Sequence, residues 1–203
     1  GVSLNVPAGE SLAVMGPSGS GKSTLLHCMS GVLTPDSGQV LFEGRNIAAL
    51  DDAARSSLRL NHFGFIFQDG QLLPELTATE NVALPQIMRG TPRKDAHEQA
   101  EEMLTRLGLG NFVSRFPGQL SGGQVQRVAI ARALAGPPKV VFADEPTAAL
   151  DQATGHEVMQ EIVAVAQKFG VTLVLVTHDP KIAAWCNRRI EIRDGLIHSE
   201  VAA

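Results

Sequence analysis

Residues 16–23 read Gly-Pro-Ser-Gly-Ser-Gly-Lys-Ser, which satisfies the pattern GxxxxGK[ST]. An apolar, strand-like segment (residues 11–15) precedes them and a helical segment (residues 22–30) follows, which is the context that the pattern requires. The glycines let successive backbone N–H groups turn towards an anion, and the helix N-terminus adds partial positive charge. The segment therefore predicts a phosphate cradle in which Lys22 bridges the β- and γ-phosphates and Ser23 binds Mg²⁺.

A glycine-rich turn that matches by chance is the competing interpretation of this segment. Average residue usage gives such a match in on the order of one in a hundred chains of this size, before the flanking strand and helix are considered. The cradle alone indicates only nucleotide binding, because kinases, GTPases and motor proteins share it.

Strand-like and helical segments alternate along the rest of the chain, which predicts an α/β fold. The later strands are almost continuous Val and Leu, as expected for a mostly parallel sheet that is covered on both faces. The predicted strands are residues 11–15, 39–42, 140–143 and 171–177, and the clearest helices are residues 22–30 and 152–169. Between residues 68 and 119 apolar residues are spaced for one helical face, and we interpret this stretch as a helical insert.

Two further strand predictions concern the ends of the chain. Val2, Leu4 and Val6 alternate with other residues, which predicts a strand inside a sheet, and we expect sequence upstream of Gly1 to be missing. Near the other end, residues 194–195 read Asp-Gly between two apolar runs, which predicts a terminal β-hairpin.

The composition is that of an ordinary globular protein. The 203 residues are 44% hydrophobic and 19% charged, and the formal net charge of −4 argues against nucleic acid as the main partner. No apolar run approaches the ~20 residues that span a bilayer. Cys28 and Cys186 lack CxxC spacing, which fits a reducing cytosol in which both are small buried hydrophobic residues.

Residues 120–124 read Leu-Ser-Gly-Gly-Gln and directly precede a helical run, residues 125–134. Each glycine in a first helical turn disfavours the helix by about 1 kcal/mol relative to Ala, so a plain Ser121 N-cap leaves the pair unexplained. Close approach of an anion to bare backbone N–H groups explains it. The pentapeptide resembles the LSGGQ signature of the ABC (ATP-binding cassette) ATPases, and chance produces it in on the order of one in several thousand such chains.

The resemblance implies an α/β fold of the P-loop NTPase, RecA-like type: a mostly parallel sheet core with an N-terminal antiparallel β part and a helical subdomain insert. It implies one ATPase domain over residues 1–203, with a nucleotide-binding core (1–67 and 120–203) and a helical subdomain (68–119). It also implies a head-to-tail dimer in which each signature caps the nucleotide of the other subunit. The implied nucleotide contacts are Gly16, Pro17, Ser18, Gly19, Ser20, Gly21, Lys22, Ser23, Thr24, Ser121, Gly122, Gly123, Gln124 and Asp151.

Two carboxylates follow the apolar run of residues 140–143. An ordinary exit from a strand into a loop is the alternative interpretation of this pair. In the ABC family Asp144 would hold hydrated Mg²⁺, and Glu145 would orient and deprotonate the attacking water. The resemblance thus makes Glu145 a catalytic residue, and it gives the metal three ligands, Ser23, Gln68 and Asp144.

His178 and Gln68 are the other two predicted catalytic residues. His178 follows the apolar run 171–177, where parallel strands face a ligand crevice, and it matches the family's switch histidine, which contacts the γ-phosphate. A lone histidine with a purely structural role is the common alternative. Gln68 matches the glutamine that approaches Mg²⁺ and water at the start of the helical insert.

Three shorter stretches carry weaker signals. Residues 148–151, Ala-Ala-Leu-Asp, resemble the loop that crosses the dimer interface, although serine is commoner than Ala148 there. Residues 116–119 lie where the family contacts a membrane partner, and a plain interhelical loop is the alternative. The aromatic residue that stacks on adenine in the family has no counterpart before Gly16, so the choice of ATP over GTP rests on the resemblance.

Residues 65–68, 72–78 and 80–82 resemble one branch of the family, which serves lipoprotein release, macrolide efflux, haem export and cell division. Membership implies an ATP-hydrolysing subunit on the cytoplasmic side of the cell membrane, which drives export or extraction through a separate membrane subunit. Leu72, Leu73 and Leu76 would then lie near the groove for that subunit, or in the core of the insert.

Two other functions remain open at this point. A nucleotide-gated scaffold with low turnover, which regulates a cell-wall enzyme through its membrane partner, would carry the same motifs. A soluble ABC ATPase of DNA repair or translation would also share them. Such proteins generally carry tandem cassettes, zinc modules or long coiled-coil insertions, and this sequence shows none.

Overall fold

The computed structural model of the chain describes residues 1–202 and contains a six-stranded sheet and a two-stranded sheet. The strands are β1 (Ser11–Met15), β2 (Leu41–Phe42), β3 (Arg45–Asn46), β4 (Phe63–Ile66), β5 (Val140–Asp144), β6 (Thr172–Val176), β7 (Arg188–Arg193) and β8 (Leu196–Ala202). The large sheet has the strand order β4-β5-β6-β1-β7-β8. All its neighbours pair in parallel except β7 and β8, which form an antiparallel hairpin.

Helices and short 3-10 turns connect the strands. The helices are α1 (Lys22–Met29), α2 (Asp52–His62), α3 (Ala78–Met88), α4 (Arg93–Arg106), α5 (Gly122–Leu134), α6 (Gln152–Phe169) and α7 (Pro180–Ala183), and the 3-10 turns are Ile47–Ala49, Gly110–Phe112 and Pro117–Gln119. Thr77 and Glu80 form a capping box that fixes the start of α3. In the described residues, no helix is both long enough and apolar enough to cross a bilayer.

The sheet buries apolar residues on both faces, as its sequence predicts. Along β1, Ala13 belongs to the hydrophobic cluster on one face, whereas Leu12 and Val14 belong to the cluster on the other. The first cluster includes Ile130 of α5 and residues of α3, α4 and α6, and the second includes Leu26 of α1. Each Leu, Ile or Val side chain among them, when fully buried, contributes roughly 1.5–3 kcal/mol to folding.

The predicted helical stretch forms α3 and α4, and the spacing of its apolar residues is confirmed. Ala96, Ala100 and Leu104 of α4 are completely buried, on the same face of the helix. They belong to one hydrophobic cluster with residues of α5 and β5, so α4 packs against the rest of the molecule through this face.

The fold class is confirmed, with corrections at two predicted strands. Residues 2–6 form no strand: Val2, Leu4 and Val6 are half-buried against the second cluster while their neighbours are exposed. Alternation here reports burial of one face and not backbone pairing. The strand predicted over residues 39–42 is only β2, which pairs with β3 as the small antiparallel part. The Asp-Gly hairpin is confirmed, with positive φ at both Asp194 and Gly195.

Candidate functional site

The predicted site residues follow the carboxyl ends of neighbouring parallel strands. The loop 16–23 follows β1, Gln68 lies just after β4, Glu145 directly follows β5, and His178 lies just after β6. Because these strands run parallel, their carboxyl ends lie at one edge of the sheet, which is where open α/β sheets bind ligands.

The loop after β1 is built on the backbone of the β7–β8 hairpin. Gly16 has a φ of +145°, and a Cβ atom there would lie 2.1 Å from the Ile192 carbonyl oxygen, so no other residue fits. The Gly195 N–H donates to the Ser20 carbonyl oxygen at 3.2 Å. The Ser20 hydroxyl oxygen is buried and has no hydrogen-bond partner. A buried, unpaired hydroxyl in this loop fits a bound polar ligand.

Helix α1 begins at the predicted lysine with its N-terminus uncapped. Gly21 is its N-cap residue, in a left-handed conformation and without a side-chain cap hydrogen bond. The first N–H groups of such a helix remain available to an anion. Lys22 is largely buried, and its Nζ donates to the Pro17 carbonyl oxygen at 2.8 Å. The loop and the helix start thus have the donors that phosphate oxygens require.

Ser23 and Asp144 lie together at the metal-binding position that the sequence predicts. The Ser23 hydroxyl donates to Asp144 Oδ1 at 3.2 Å. Across residues 1–202 there is no group of three or more His, Cys, Asp or Glu side chains that could hold a metal by itself. One carboxylate and one hydroxyl suit Mg²⁺, which protein sites usually bind through one or two carboxylates together with substrate phosphates. The two residues therefore fit a nucleotide-linked metal.

Glu145 and His178 also lie in contact. His178 Nδ1 is 3.0 Å from both carboxylate oxygens of Glu145. Glu145 has a φ of +46°, and its N–H donates to the Val176 carbonyl oxygen of β6 at 3.0 Å. A non-glycine residue at positive φ is strained, and such strain collects at functional sites. The structure therefore pairs the predicted base with the predicted switch histidine.

Gln68 is exposed, and it follows β4, the strand that pairs with β5, which Glu145 follows. In the described part of the chain, no hydrogen bond joins its side chain to another predicted site residue. The backbone around it is held by two residues of α5 that sequence reasoning missed: Gln126 donates to the carbonyl of Phe67, and Arg132 to the carbonyls at positions 70 and 71. The one signal in the sequence was a glutamine among the apolar residues of a helix.

The signature residues form the start of α5. The Ser121 hydroxyl accepts from the Gln124 N–H at 3.3 Å, and Gln124 Oε1 accepts from the Ser121 N–H at 2.9 Å. This capping box leaves Gly122 exposed and Gly123 half-exposed. A Cβ atom on Gly123 would lie 2.7 Å from Thr154 Cγ2. Packing against α6 therefore gives a second reason for this glycine, beside the approach of an anion that the sequence suggested.

Asp151 is the N-cap residue of α6 and lies in the segment next to the signature. Its carboxylate accepts from the N–H groups of Ala153 and Thr154, each at 3.1 Å. The hydroxyl and N–H of Thr154, followed by the N–H of Ala153, lower the pKa of the Asp151 carboxyl. Asp151 is thus ionised, exposed and fixed by its own helix.

Two half-sites result, and the described residues show no hydrogen bond between them. The first comprises the loop 16–23 with Asp144, Glu145 and His178. The second comprises the start of α5, which contacts the segment 150–154. Each presents N–H or hydroxyl donors suited to phosphate, but on separate parts of one molecule.

Comparisons with known proteins agree with this geometry. A profile of the ABC transporter family matches residues 1–148. The lipoprotein-releasing system ATP-binding protein LolD of Shewanella frigidimarina is 49% identical over 197 residues, which cover 97% of this chain and 82% of the relative. The macrolide export ATP-binding/permease protein MacB of Marinobacter nauticus is 46% identical over the whole chain, which spans 31% of that relative.

Solved structures give the same result. A dimeric structure of the ATP-binding cassette MJ0796, in a post-hydrolysis state with ADP and Pi, superposes with a TM-score of 0.90. It is 41% identical, and the match covers 98% of this chain and 88% of that one. The family profile spans well over half of the sequence, and LolD is matched over most of its length. The chain therefore belongs to the ABC transporter family, as an ATP-binding subunit that hydrolyses ATP.

Proposed function

We propose that two copies of this chain assemble head to tail around two Mg²⁺-ATP molecules and drive export or extraction through a separate membrane subunit. The separation of the two half-sites within one molecule carries this proposal. The loop 16–23 surrounds a triphosphate from one side, and the start of α5 offers donors for the other side. Dimeric cassettes among the solved relatives support a two-molecule site.

Each residue of the first half-site then has its own role in phosphoryl transfer. Lys22 and the first N–H groups of α1 bind the phosphates, while Ser23 and Asp144 hold Mg²⁺. When bound, Mg²⁺ neutralises charge on the β- and γ-phosphate oxygens. Gln68, after β4, would orient water and metal at the same edge of the sheet.

Glu145 acts as the general base and His178 as the residue that positions it. A carboxylate at the end of β5 can accept a proton from a water that attacks the γ-phosphate. With Nδ1 at 3.0 Å, the imidazole donates to that carboxylate and restricts its orientation. The other ring nitrogen, Nε2, makes no hydrogen bond among the described residues, and we propose that it contacts a γ-phosphate oxygen.

The membrane subunit would dock in a cleft between the core and the helical stretch 68–119, which we propose moves as one subdomain. The cleft has a volume of about 360 Å³ and is lined by aromatic and basic side chains, including Phe63, Phe65, Phe67, Arg59, Arg89 and Arg132. Gln71 is part of the lining, but Leu72, Leu73 and Leu76 are not. Leu72 packs against the hydrophobic cluster that α3 and α4 share with α5 and β5, and Leu73 is exposed. Docking through this cleft would hold the chain at the cytoplasmic side of the membrane.

The nucleotide-gated scaffold is the rival that shares this geometry, because it also closes around ATP. The rate of ATP turnover distinguishes the scaffold from the transport ATPase. We expect the purified subunit to release phosphate, and its native membrane subunit, reconstituted with it, to change the rate. Phosphate release indistinguishable from background with the partner present would favour the scaffold.

Glu145→Gln tests the base and the dimer together. The substitution keeps the shape and a polar contact with His178 but removes the proton acceptor. We expect turnover to fall by about a hundredfold or more while ATP binding persists, and the trapped nucleotide to hold a dimer in solution. Light scattering with ATP or ADP, together with single-turnover assays, would measure both effects. Parental turnover would exclude Glu145 as the base, and a strictly monomeric ATP-bound sample would exclude the composite site.

A further inference from the structure

Gln68 lies in a tight turn whose two ends are both bound to α5. The Gly70 N–H closes the turn by donating to the Phe67 carbonyl oxygen at 3.1 Å. The same carbonyl accepts from Gln126 Nε2 at 2.9 Å, and Gln126 is almost completely buried. On the other side of Gln68, Arg132 Nη2 donates to the Gly70 carbonyl oxygen at 2.7 Å. The backbone on each side of Gln68 is therefore fixed to one helix.

The residues after the turn have a conformation that needs such support. Gly70 and Gln71 are both at positive φ, +71° and +43°. Arg132 Nη1 donates to the Gln71 carbonyl oxygen at 2.7 Å, so one planar guanidinium holds two consecutive carbonyls. A Cβ atom on Gly70 would lie 2.8 Å from Val125 Cγ1, which shows how closely the turn approaches α5. Strained backbone persists only where its surroundings over-determine it.

We propose that Gln126 and Arg132 are positioning residues for Gln68, and that they make the Gln68 turn move together with α5. We call Gln126 and Arg132 the clamp. Because α5 begins with the signature, the clamp connects two parts of the same subunit: Gln68, which lies at one nucleotide site, and the signature, which contacts the nucleotide at the other site of the dimer. The inference rests on the proposed roles of Gln68 and the signature.

The clamp acts on chemistry more than on ATP affinity. Phosphate binding depends on the loop 16–23, which Gln126 and Arg132 do not contact through any hydrogen bond of the described residues. A displacement of about 1 Å in a residue that orients water or metal can reduce turnover by roughly a hundredfold. The planar guanidinium of Arg132 matters because the ammonium of a lysine is a single point charge, which cannot hold two carbonyls in the same geometry.

Three variants remove the clamp in steps. Arg132→Met removes the guanidinium but keeps much of its length, Arg132→Lys keeps the charge without the fork, and Gln126→Met removes the contact on the other side of Gln68. In ATPase assays of the purified chain, we expect kcat to fall by about tenfold or more in Arg132→Met and by less in the other two. The Kd for ATP should change by less than about threefold in each.

Arg127→Met is the matched control on the same helix. Arg127 is a half-buried arginine that pairs with Glu157 and Glu161 of α6, at 3.3 and 3.1 Å, and it makes no hydrogen bond to residues 67–71 among the described contacts. Its loss should lower thermal stability to a similar extent as the loss of Arg132 but leave kcat within about twofold, measured well below the unfolding midpoint. Equal losses of kcat in Arg127→Met and Arg132→Met would overturn the proposal.

A double-mutant cycle with Gln68→Ala separates positioning from general damage. If Arg132 acts through Gln68, Arg132→Met should reduce kcat by less than about twofold more in the Gln68→Ala background. Independent, multiplying losses would reject the clamp and leave the role of Gln68 intact. Parental kcat in Gln68→Ala would instead reject the proposed role of Gln68, and this inference with it. If Arg132→Met does not fold, the same cycle with Gln126→Met decides.

Discussion

The loop 16–23 and the signature segment 120–124 are both glycine-rich starts of helices, but they are built differently. In the loop, Gly21 leaves the N-terminus of α1 without a side-chain cap, and the buried Ser20 hydroxyl has no partner. In the signature, Ser121 and Gln124 satisfy each other in a capping box. The loop thus leaves backbone donors available to an anion, whereas the signature satisfies its own helix end.

The difference follows from the surroundings of the two segments. Gly16 of the loop packs against the backbone of β7, and Ser23 is hydrogen-bonded to Asp144 at the end of β5. The strands of the sheet therefore fix the conformation of the loop. The glycines of the signature lie against the neighbouring segment around Leu150 and Thr154, and Gly122 is exposed. In the proposed head-to-tail dimer, the loop would then bind the nucleotide first, and the signature of the second molecule would contact that nucleotide at little conformational cost.

Lys22→Ala should have the largest effect, because it removes the one buried cation of the loop. A charge-assisted hydrogen bond to phosphate contributes about 2–3 kcal/mol, so we expect the Kd for ATP to rise by roughly a hundredfold. Turnover should fall to background at ATP concentrations that saturate the parent. Titration with a fluorescent ATP analogue would measure this. Unaltered affinity would contradict the assignment of the cradle.

Ser121→Ala should give the opposite pattern, with ATP bound normally but hydrolysed slowly. The variant loses one hydroxyl from the second half-site and a helix N-cap that contributes about 1 kcal/mol to stability. We expect ATP affinity of the isolated chain to change by less than about twofold, while turnover falls by about tenfold or more. Nucleotide titration and steady-state phosphate release on the same sample would test this contrast.

Mixing the Lys22→Ala and Ser121→Ala variants gives the sharpest test of the composite site. A mixed dimer of Lys22→Ala and Ser121→Ala contains one site with an intact loop from one chain and an intact signature from the other. We expect an equimolar mixture to release phosphate faster than either variant does alone at the same total concentration. A mixture whose rate is only the average of the two separate variants would contradict the head-to-tail arrangement.

The sequence predicted which residues lie at this site better than it predicted the contacts that hold them in place. The sequence predicts the loop 16–23 because the pattern is local and its function depends on backbone geometry. The reason for Gly16 is a carbonyl in β7, at Ile192, and the residues that hold the Gln68 turn lie on α5. Such contacts join residues that are distant in sequence, so no local pattern or period reports them.

The fold shows the same division. The mostly parallel sheet followed from alternating segments and apolar strands, and the hairpin at Asp194 followed from its turn residues. The prediction of a strand over residues 2–6 was wrong. Alternation specifies which side chains are buried, whereas a strand also needs a neighbouring backbone to pair with.

Gly123→Ala should have the smallest effect, and it separates the two reasons for that glycine. Ala in a helix is favoured over Gly by about 1 kcal/mol, which would offset much of the contact between the new Cβ and Thr154 Cγ2, 2.7 Å apart in the parent geometry. We therefore expect the thermal midpoint to change by only a few degrees. Turnover should fall by about threefold, because the start of α5 must shift away from α6.

Thr154→Ser provides the matched test, since it removes the contacting methyl group and keeps the hydroxyl beside Asp151. If packing against Thr154 requires the glycine, adding Thr154→Ser to Gly123→Ala should restore turnover, whereas Thr154→Ser alone should remain near the parent. If the double variant is no better than Gly123→Ala, the glycine is needed for the approach of the partner's nucleotide instead. Rates of phosphate release and melting curves for the three variants distinguish these outcomes. Only packing against Thr154 is a steric contact within one chain, so only that explanation predicts rescue by Thr154→Ser.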